Sequence, residues 1–112
     1  MDLAYRLASN ATTREFKALS GATIDATVDG LIDSLACALA GKNSHGLAQA
    51  RTALGRWGDS GCSIWGGYGN APAPMAAFLN AVSMHALDYD DTDDKVPLHA
   101  YGLVLPGLIA DV

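Results

Sequence analysis

The segment that most constrains the fold of this chain begins after Ser20. It is an uninterrupted repeat of apolar residues at helical spacing. The repeat places large apolar side chains three or four positions apart, at Ile24, Val28, Leu31, Ile32, Leu35 and Leu39. Ser20 suits an N-cap and Gly41 a helix stop, so a helix is predicted over residues 21–40, with Gly30 as a weak point or a close-packing site. Alanine, the best helix former, supplies 20 of the 112 residues. The chain is therefore predicted to be all-α.

Other segments extend this prediction. Helices are expected over residues 3–8, from residue 43 or 44 to residue 58, over residues 73–87 and in part of residues 101–112. The helix predicted to end at residue 58 has an apolar stripe formed by Leu47, Ala50, Leu54 and Trp57. Pro72 and Pro74 suit a helix start, since the first turn does not use their missing N–H, whereas Pro106 is expected to disturb the last helix. Apart from the short helix at residues 3–8, the predicted fold is thus about four helices with one short extended segment between Cys62 and Trp65.

Negative charge is concentrated in one part of the chain. The sequence holds 12 acidic and 7 basic residues, a net charge of −5, and five of the acids are aspartates between Asp88 and Asp94. The basic residues are scattered, so the clustered cationic surface that binds nucleic acid is not expected. The low isoelectric point therefore describes a local site rather than the whole surface.

The cysteines and the absence of a long apolar run bear on the compartment. Cys37 and Cys62 lie 25 residues apart without a CxxC partner, which argues against a zinc ribbon or a disulfide scaffold and favours reduced thiols. No stretch approaches the ~20 apolar residues of a spanning helix, and the first residues lack a signal-peptide pattern. A soluble, cytoplasmic protein without a membrane partner is predicted.

Known ligand-binding motifs do not fit. Pro72 stands where a dinucleotide fingerprint needs glycine, and Gly67 stands where a P-loop needs lysine. A calcium loop starting at Asp88 lacks the required glycine and glutamate. A DDxxD pattern, by which helical prenyl-diphosphate enzymes hold magnesium, is formed by Asp90, Asp91 and Asp94. Such enzymes need a large aromatic-lined cavity and a second acidic motif, whereas this chain has 7% aromatic residues and no second acidic motif. Neither a metal nor a cofactor is therefore predicted.

The residues around the acidic run have the composition of an acid–base site. If the helix continues to Thr92, then His85, Asp88 and Thr92 share one face, following ~100° per residue. His99 follows seven residues later. An imidazole titrates near neutral pH and a carboxylate can orient it, so this group suits general acid–base chemistry. The sequence has no nucleophile elbow and no obvious pairing of a serine or cysteine nucleophile with a histidine, and no two-histidine i, i+4 pair indicates a metal.

These residues carry a resemblance. The run NAVSMHALDYDDT from Asn80 to Thr92, followed by His99, resembles the signature of the MmgE/PrpD family, roughly N-G-x-x-x-H-x-L-D-[FY]-D-D-T and then H-P. The run GLIDSLACALAG from Gly30 to Gly41 is similar to the family's first long helix. Departures from the pattern lie at Ala81, Asp93 and Ala100.

The resemblance implies a cofactor-independent enzyme that handles a proton next to a carboxylate group. Family members include 2-methylcitrate dehydratase, cis-aconitate decarboxylase and iminodisuccinate epimerase, usually dimeric, with a large all-α domain and a smaller lid domain. It implies that His99 is the catalytic acid or base and that Asp88 and Thr92 contact the substrate. It also implies that His85, Asp90 and Asp91 hold the loop in shape. Lys95 is expected as a supporting cation opposite the acids, because the five aspartates repel an anionic substrate. Further lysines and a histidine of the pocket would come from later in such a chain.

The resemblance also sets expectations for the chain as a whole. Residues 1–112 are expected to be the N-terminal part of the helical domain of a lyase of the 2-methylcitrate dehydratase type, inactive without the rest of that domain and the lid. An epimerase or a decarboxylase of the same family is the first alternative. A non-enzymatic helical module that dimerises through its apolar stripes is the second. The expected partners are a small polycarboxylate and either a second copy or the remainder of the enzyme.

Overall fold

A computed structural model describes residues 2–54, 58 and 61–110 of the protein. The described residues form five α-helices, one 3-10 turn and a two-stranded sheet, which confirms the all-α class. The helices are α1 (Leu3–Thr13), α2 (Gly21–Gly41), α3 (Leu47–Leu54), α4 (Ala73–His85) and α5 (Ala100–Ala110). The 3-10 turn is Phe16–Ala18, and the strands are β1 (Cys62–Ser63) and β2 (Asn70–Ala71). None of these helices is both long enough and apolar enough to cross a membrane.

Helix α2 begins at Gly21, as predicted, and ends one residue later than predicted, because Gly41 is its last helical residue and not its stop. The hydroxyl of Ser20 accepts a hydrogen bond from the backbone N–H of Thr23 at 3.1 Å, which satisfies one of the free donors of the first turn. Gly30 is a close-packing site, because a Cβ atom there would lie 2.5 Å from the ring of Tyr101 in α5. The missing side chain at residue 30 therefore lets α5 approach α2.

The centre of the fold is the contact between α2 and α4. Cys37 and Ala38 of α2 pack with Met84 of α4, and all three are buried. The Ser83 hydroxyl donates to the carbonyl of Ala38 at 2.6 Å, which joins the two backbones. Gly41 is required at the crossing, because a Cβ atom there would collide with the Ser83 carbonyl oxygen. Small residues thus allow the two helices to touch.

A short antiparallel hairpin covers one side of α4. The predicted extended segment is present as β1, and it pairs with β2, which the sequence did not indicate. The buried Asn80 side chain holds the hairpin, since its carbonyl accepts from the Trp65 N–H at 2.8 Å and its amide donates to the Ser63 carbonyl at 3.1 Å. Cys37 and Cys62 are both free thiols, as predicted.

The remaining helices differ from their predicted bounds. Helix α1 runs five residues past its expected end and buries no side chain. Helix α3 begins at Leu47, later than expected, and Trp57 of its predicted stripe lies outside the described residues. Helix α5 continues through Pro106, although proline offers no N–H to the preceding turn.

Candidate functional site

The candidate site lies where α4 ends and the chain turns towards α5. Helix α4 ends at His85, two residues earlier than predicted, and Asp88 has a left-handed φ of +56°. Aspartate tolerates this conformation better than most residues because its short polar side chain bonds locally. The Asp88 N–H donates to the His85 carbonyl at 3.0 Å, which closes a turn. The hypothesis of a helix continuing to Thr92 is therefore wrong, and no shared helical face joins His85, Asp88 and Thr92.

The turn nevertheless brings two histidines and two aspartates together. Asp90 is the centre of the group, with a side chain that is 0% exposed, whereas the side chain of His85 is 56% exposed. The Nδ1 atom of His85 lies 3.0 Å and 3.2 Å from the two carboxylate oxygens of Asp90. Since an ionised carboxylate only accepts hydrogen bonds, Nδ1 of His85 is the donor in this pair.

His99 faces the same carboxylate from the other side. Its Nδ1 atom lies 3.5 Å from Oδ2 of Asp90, and its Nε2 atom lies 3.8 Å from Oδ1 of Asp88. The His85 and His99 rings meet edge to face, with centroids 4.7 Å apart. Two imidazoles thus flank one buried carboxylate, and a second, exposed carboxylate approaches His99.

A pocket of about 370 Å³ opens beside this group, between α4 and α5. His85, Asp90 and His99 supply its polar wall. Its other lining residues are Phe78, Ala81, Val82, Pro97, Leu98, Gly102 and Leu103. Gly102 makes room for the carboxylate, since a Cβ atom there would lie 2.9 Å from Oδ2 of Asp90. The site is therefore a mainly apolar pocket with an imidazole–carboxylate group at one end.

Other acids of the segment hold the backbone. Asp91 accepts hydrogen bonds from the Tyr101 N–H at 3.1 Å and 3.2 Å, at the N-terminus of α5, where free donors and the helix dipole favour a carboxylate. Asp93 accepts from the N–H groups of Lys95 and Val96 at 2.7 Å and 3.2 Å. These contacts shape the connection between α4 and α5.

Two residues of the expected site lie apart from the histidines. The Thr92 side chain is exposed, and its hydroxyl donates to the Asp90 carbonyl at 3.4 Å rather than lining the pocket. Lys95 is exposed and forms no ion pair with the described residues. The structure thus joins His85, Asp88, Asp90 and His99, and leaves Thr92 and Lys95 outside the group.

The electrostatic character of this region is negative. Burial raises the pKa of the Cys37 thiol, and the negative charges of Asp33, Asp90 and Asp91 raise it further. None of the described Lys or Arg residues lines the pocket. An anionic ligand placed here would need cationic groups from elsewhere.

Two features of the site were not predicted from the sequence. The central place of Asp90 depends on the turn at Asp88, which has no simple sequence signature. The apolar wall did have a signal, because Phe78, Val82 and His85 follow one another at the i, i+4 and i+7 spacing of one helix face. That spacing predicts that the three side chains share one face of α4.

Comparison with known proteins identifies one family. The family model described as the MmgE/PrpD N-terminal domain matches residues 5–111, nearly the entire chain. Comparison with curated proteins yields no match, and comparison with solved structures yields none either.

Proposed function

The chain belongs to the MmgE/PrpD family, and from this premise we propose that it is the N-terminal part of an enzyme that moves a proton on a carbon next to a carboxylate group of a small polycarboxylate. A dehydratase of the 2-methylcitrate type is the leading form of the proposal. The observation that carries it is the placement of His99 at a pocket wall, between the carboxylates of Asp88 and Asp90.

In such an elimination a base removes the proton from the carbon next to a carboxylate, and the C–H electron pair forms the double bond. The C–O bond breaks at the neighbouring carbon, and the hydroxyl group leaves as water after taking a proton from an acid. We assign one of these two proton transfers to His99, because an imidazole can serve as acid or base near neutral pH. We assign the placement of the ring to the neighbouring carboxylate of Asp90, and contact with the substrate to Asp88, whose carboxylate approaches the other ring nitrogen. Thr92, also expected to contact the substrate, lies outside this group and is given no role.

The charge of the site supports the view that this chain supplies only part of the pocket. Two unit charges 4 Å apart interact by about 4 kcal/mol at an effective dielectric constant of 20, so a polycarboxylate is repelled by the aspartates around His99. Lys95 is the one cation within the acidic segment. We therefore propose that the remaining cations come from another part of the enzyme and that residues 1–112 alone are inactive.

The test compares residues 1–112 with the protein encoded by the complete reading frame. We expect no turnover of 2-methylcitrate by the former and turnover by the latter, measured as formation of the double bond by ultraviolet absorbance. His99→Gln should lower the rate by about 10²–10⁴-fold, as for loss of a general acid or base. His45→Gln is the matched control, because His45 is exposed and lies outside the site. Equal rates for the two variants would contradict the role of His99.

Product analysis separates the members of the reaction class. A dehydratase forms an unsaturated acid, a decarboxylase releases carbon dioxide, and an epimerase returns its substrate with deuterium at the acidic carbon when the reaction runs in D₂O. The epimerase and the decarboxylase therefore remain alternatives that one set of assays distinguishes.

A helical dimerisation module is the second candidate, favoured by the apolar side chains that α2 and α5 expose. Ile32 is 62% exposed and Leu103 is 73% exposed. If these faces pair two copies, sedimentation should show a dimer that Leu103→Lys dissociates, whereas Leu7→Lys on α1 should leave it intact. A stop codon directly after residue 112 would favour this module, and an open frame with lysine codons downstream would favour the enzyme.

A further inference from the structure

The two histidines and two aspartates of the site have the composition and spacing of a metal site. One ligand atom from each of His85, Asp88, Asp90 and His99 can be chosen so that all four lie within 4.8 Å of one another. We propose that these four side chains bind one divalent transition-metal ion of the zinc class. This binding is independent of the proposed reaction and concerns the same side chains in a different chemical role.

The interatomic distances are close to those of a tetrahedral site. Zn–N and Zn–O bonds of about 2.0–2.2 Å place neighbouring ligand atoms of a tetrahedron roughly 3.4 Å apart. Nδ1 of His85 lies 3.0 Å from Oδ1 of Asp90, and Nδ1 of His99 lies 3.5 Å from Oδ2 of Asp90. A metal ion would replace the proton that Nδ1 of His85 donates to Asp90. Asp88 approaches the other ring nitrogen of His99, so its side chain, which is 79% exposed, must move to reach the same ion.

The Nδ1 atom of His99 supplies a second observation. This atom is shielded from solvent and has no hydrogen-bond partner among the described residues. If Nδ1 carries no proton, its lone pair and that of the Asp90 oxygen face each other across 3.5 Å. A positive group between the two atoms would satisfy both, and a metal ion supplies one.

The donor set selects the class of metal. Magnesium and calcium prefer oxygen ligands alone, whereas imidazole nitrogen suits zinc, copper and nickel. The two carboxylates balance the charge of a divalent ion, and the other acids of the segment add to the negative field. A zinc-class ion is therefore expected and a magnesium ion is not.

Metal binding has a consequence that rests on the proposed function. With one ring nitrogen of His99 on the metal and a proton on the other, the ring can no longer take up a proton. Zinc is therefore expected to inhibit the enzyme encoded by the complete reading frame, and a chelator is expected to restore its activity.

The binding test is calorimetric titration of residues 1–112 with zinc chloride, with magnesium chloride as the comparison. We expect one saturable zinc site and no magnesium binding. Asp88→Asn and Asp94→Asn each remove one negative charge from the same segment, but only Asp88 is a proposed ligand. Asp88→Asn should weaken zinc binding by about 10-fold or more, following the sensitivity of metal sites to loss of supporting groups. Asp94→Asn should change it by less than about threefold, because Asp94 is an exposed charge outside the proposed ligand set.

A second pair of variants tests the nitrogen ligands. His85→Gln should weaken zinc binding as Asp88→Asn does, whereas His45→Gln should leave it unchanged, and both replace an exposed histidine. Circular dichroism establishes that each variant keeps its helix content, and Asp90→Asn is avoided because that side chain is buried. Absence of saturable zinc binding, or equal losses within either pair, would overturn the proposal.

The two proposals fail separately. Zinc binding that depends on His85 and Asp88, together with unchanged turnover in His99→Gln, would uphold the metal site and reject the acid–base role. Loss of turnover in His99→Gln without zinc binding by the wild-type chain would do the reverse.

Discussion

The contact between α2 and α4 and the connection from residue 86 to residue 99 adjoin in the chain but are stabilised in different ways. At the helix contact, small residues let two backbones approach, and the one polar bond, from Ser83 to Ala38, is fully buried. In the connection, aspartates hold the backbone through bonds to nearby N–H groups, and most side chains are exposed. The first region resists any change of volume, whereas the second tolerates changes except where it touches the first.

The largest effect is expected at Gly41. Gly41→Ala places a methyl group against the Ser83 carbonyl oxygen, a backbone atom that can move only if the helices separate. The free energy of unfolding should fall by about 3 kcal/mol, the upper range for overpacking. Urea denaturation measures it, with Gly21→Ala as the control because nothing lies within 4 Å of its Cβ position. Equal stability of the two variants would show that α2 and α4 do not pack as closely as described.

A smaller loss is expected where the two regions meet, at Gly102. Gly102→Ala presses a methyl group on Asp90, whereas Gly107→Ala on the same helix meets open space. Gly107→Ala should stabilise the protein by up to about 1 kcal/mol through helix propensity. Gly102→Ala should instead destabilise it by about 1–2 kcal/mol, because the displaced carboxylate is buried. It should also shift the NMR signal of His85 Nδ1, and an unchanged signal would show that Asp90 does not respond to this contact.

Loss of the buried hydroxyl of Ser83 comes next. Ser83→Ala leaves the Ala38 carbonyl without its side-chain partner, and loss of such a bond costs about 1–2 kcal/mol. Ser9→Ala on exposed α1 should change the free energy of unfolding by less than about 0.5 kcal/mol. If Ser83→Ala lowers the free energy of unfolding no more than Ser9→Ala, the Ser83 hydrogen bond does not stabilise the helix contact.

The same contrast explains what could be predicted from the sequence. Helix α2 was predicted to within a residue because its periodicity and its Ser20 cap agree, although Gly41, the predicted stop, belongs to the helix. These are local signals, and local propensity and tertiary packing favour the same structure there. The Gly30 to Tyr101 contact was anticipated only as a choice between weakness and close packing, because the partner lies 71 residues away in sequence.

The site was harder to predict because its geometry comes from a turn. The residues His85, Asp88 and His99 were identified from their types and spacing, but the continuous helix assumed for two of them does not form. A left-handed Asp88 reverses the chain and places Asp90, not Thr92, beside the histidines. One positive φ angle thus decides which carboxylate is buried, and the spacing of apolar residues does not predict such an angle.

Cys37 links the two regions through its pKa. It lies in the contact between α2 and α4, and both burial and aspartates of the connection raise its pKa. Its folded-state pKa is raised above the ordinary value of 9.0, first by burial and then by Asp33, Asp90 and Asp91. As pH rises, the thiol therefore ionises first in the unfolded state. The contribution of Cys37 to the free energy of unfolding is intact below pH 9.0 and is lost as pH rises above it. Iodoacetamide should label the half-buried Cys62 faster than Cys37 at pH 8, as mass spectrometry can measure. Faster labelling of Cys37 would contradict its burial.

The smallest effect is expected at Asp93, which acts only within the connection. Asp93→Ala removes the acceptor for the N–H groups of Lys95 and Val96, and both bonds are exposed to water. Loss of such bonds costs about 0.5–1 kcal/mol locally, so amide hydrogen exchange at these two residues should accelerate by roughly two- to fivefold. Global stability should not change measurably, because both bonds are local and exposed. Asp94→Ala removes the same charge without a described backbone bond, so equal acceleration would assign the effect to charge and not to the turn.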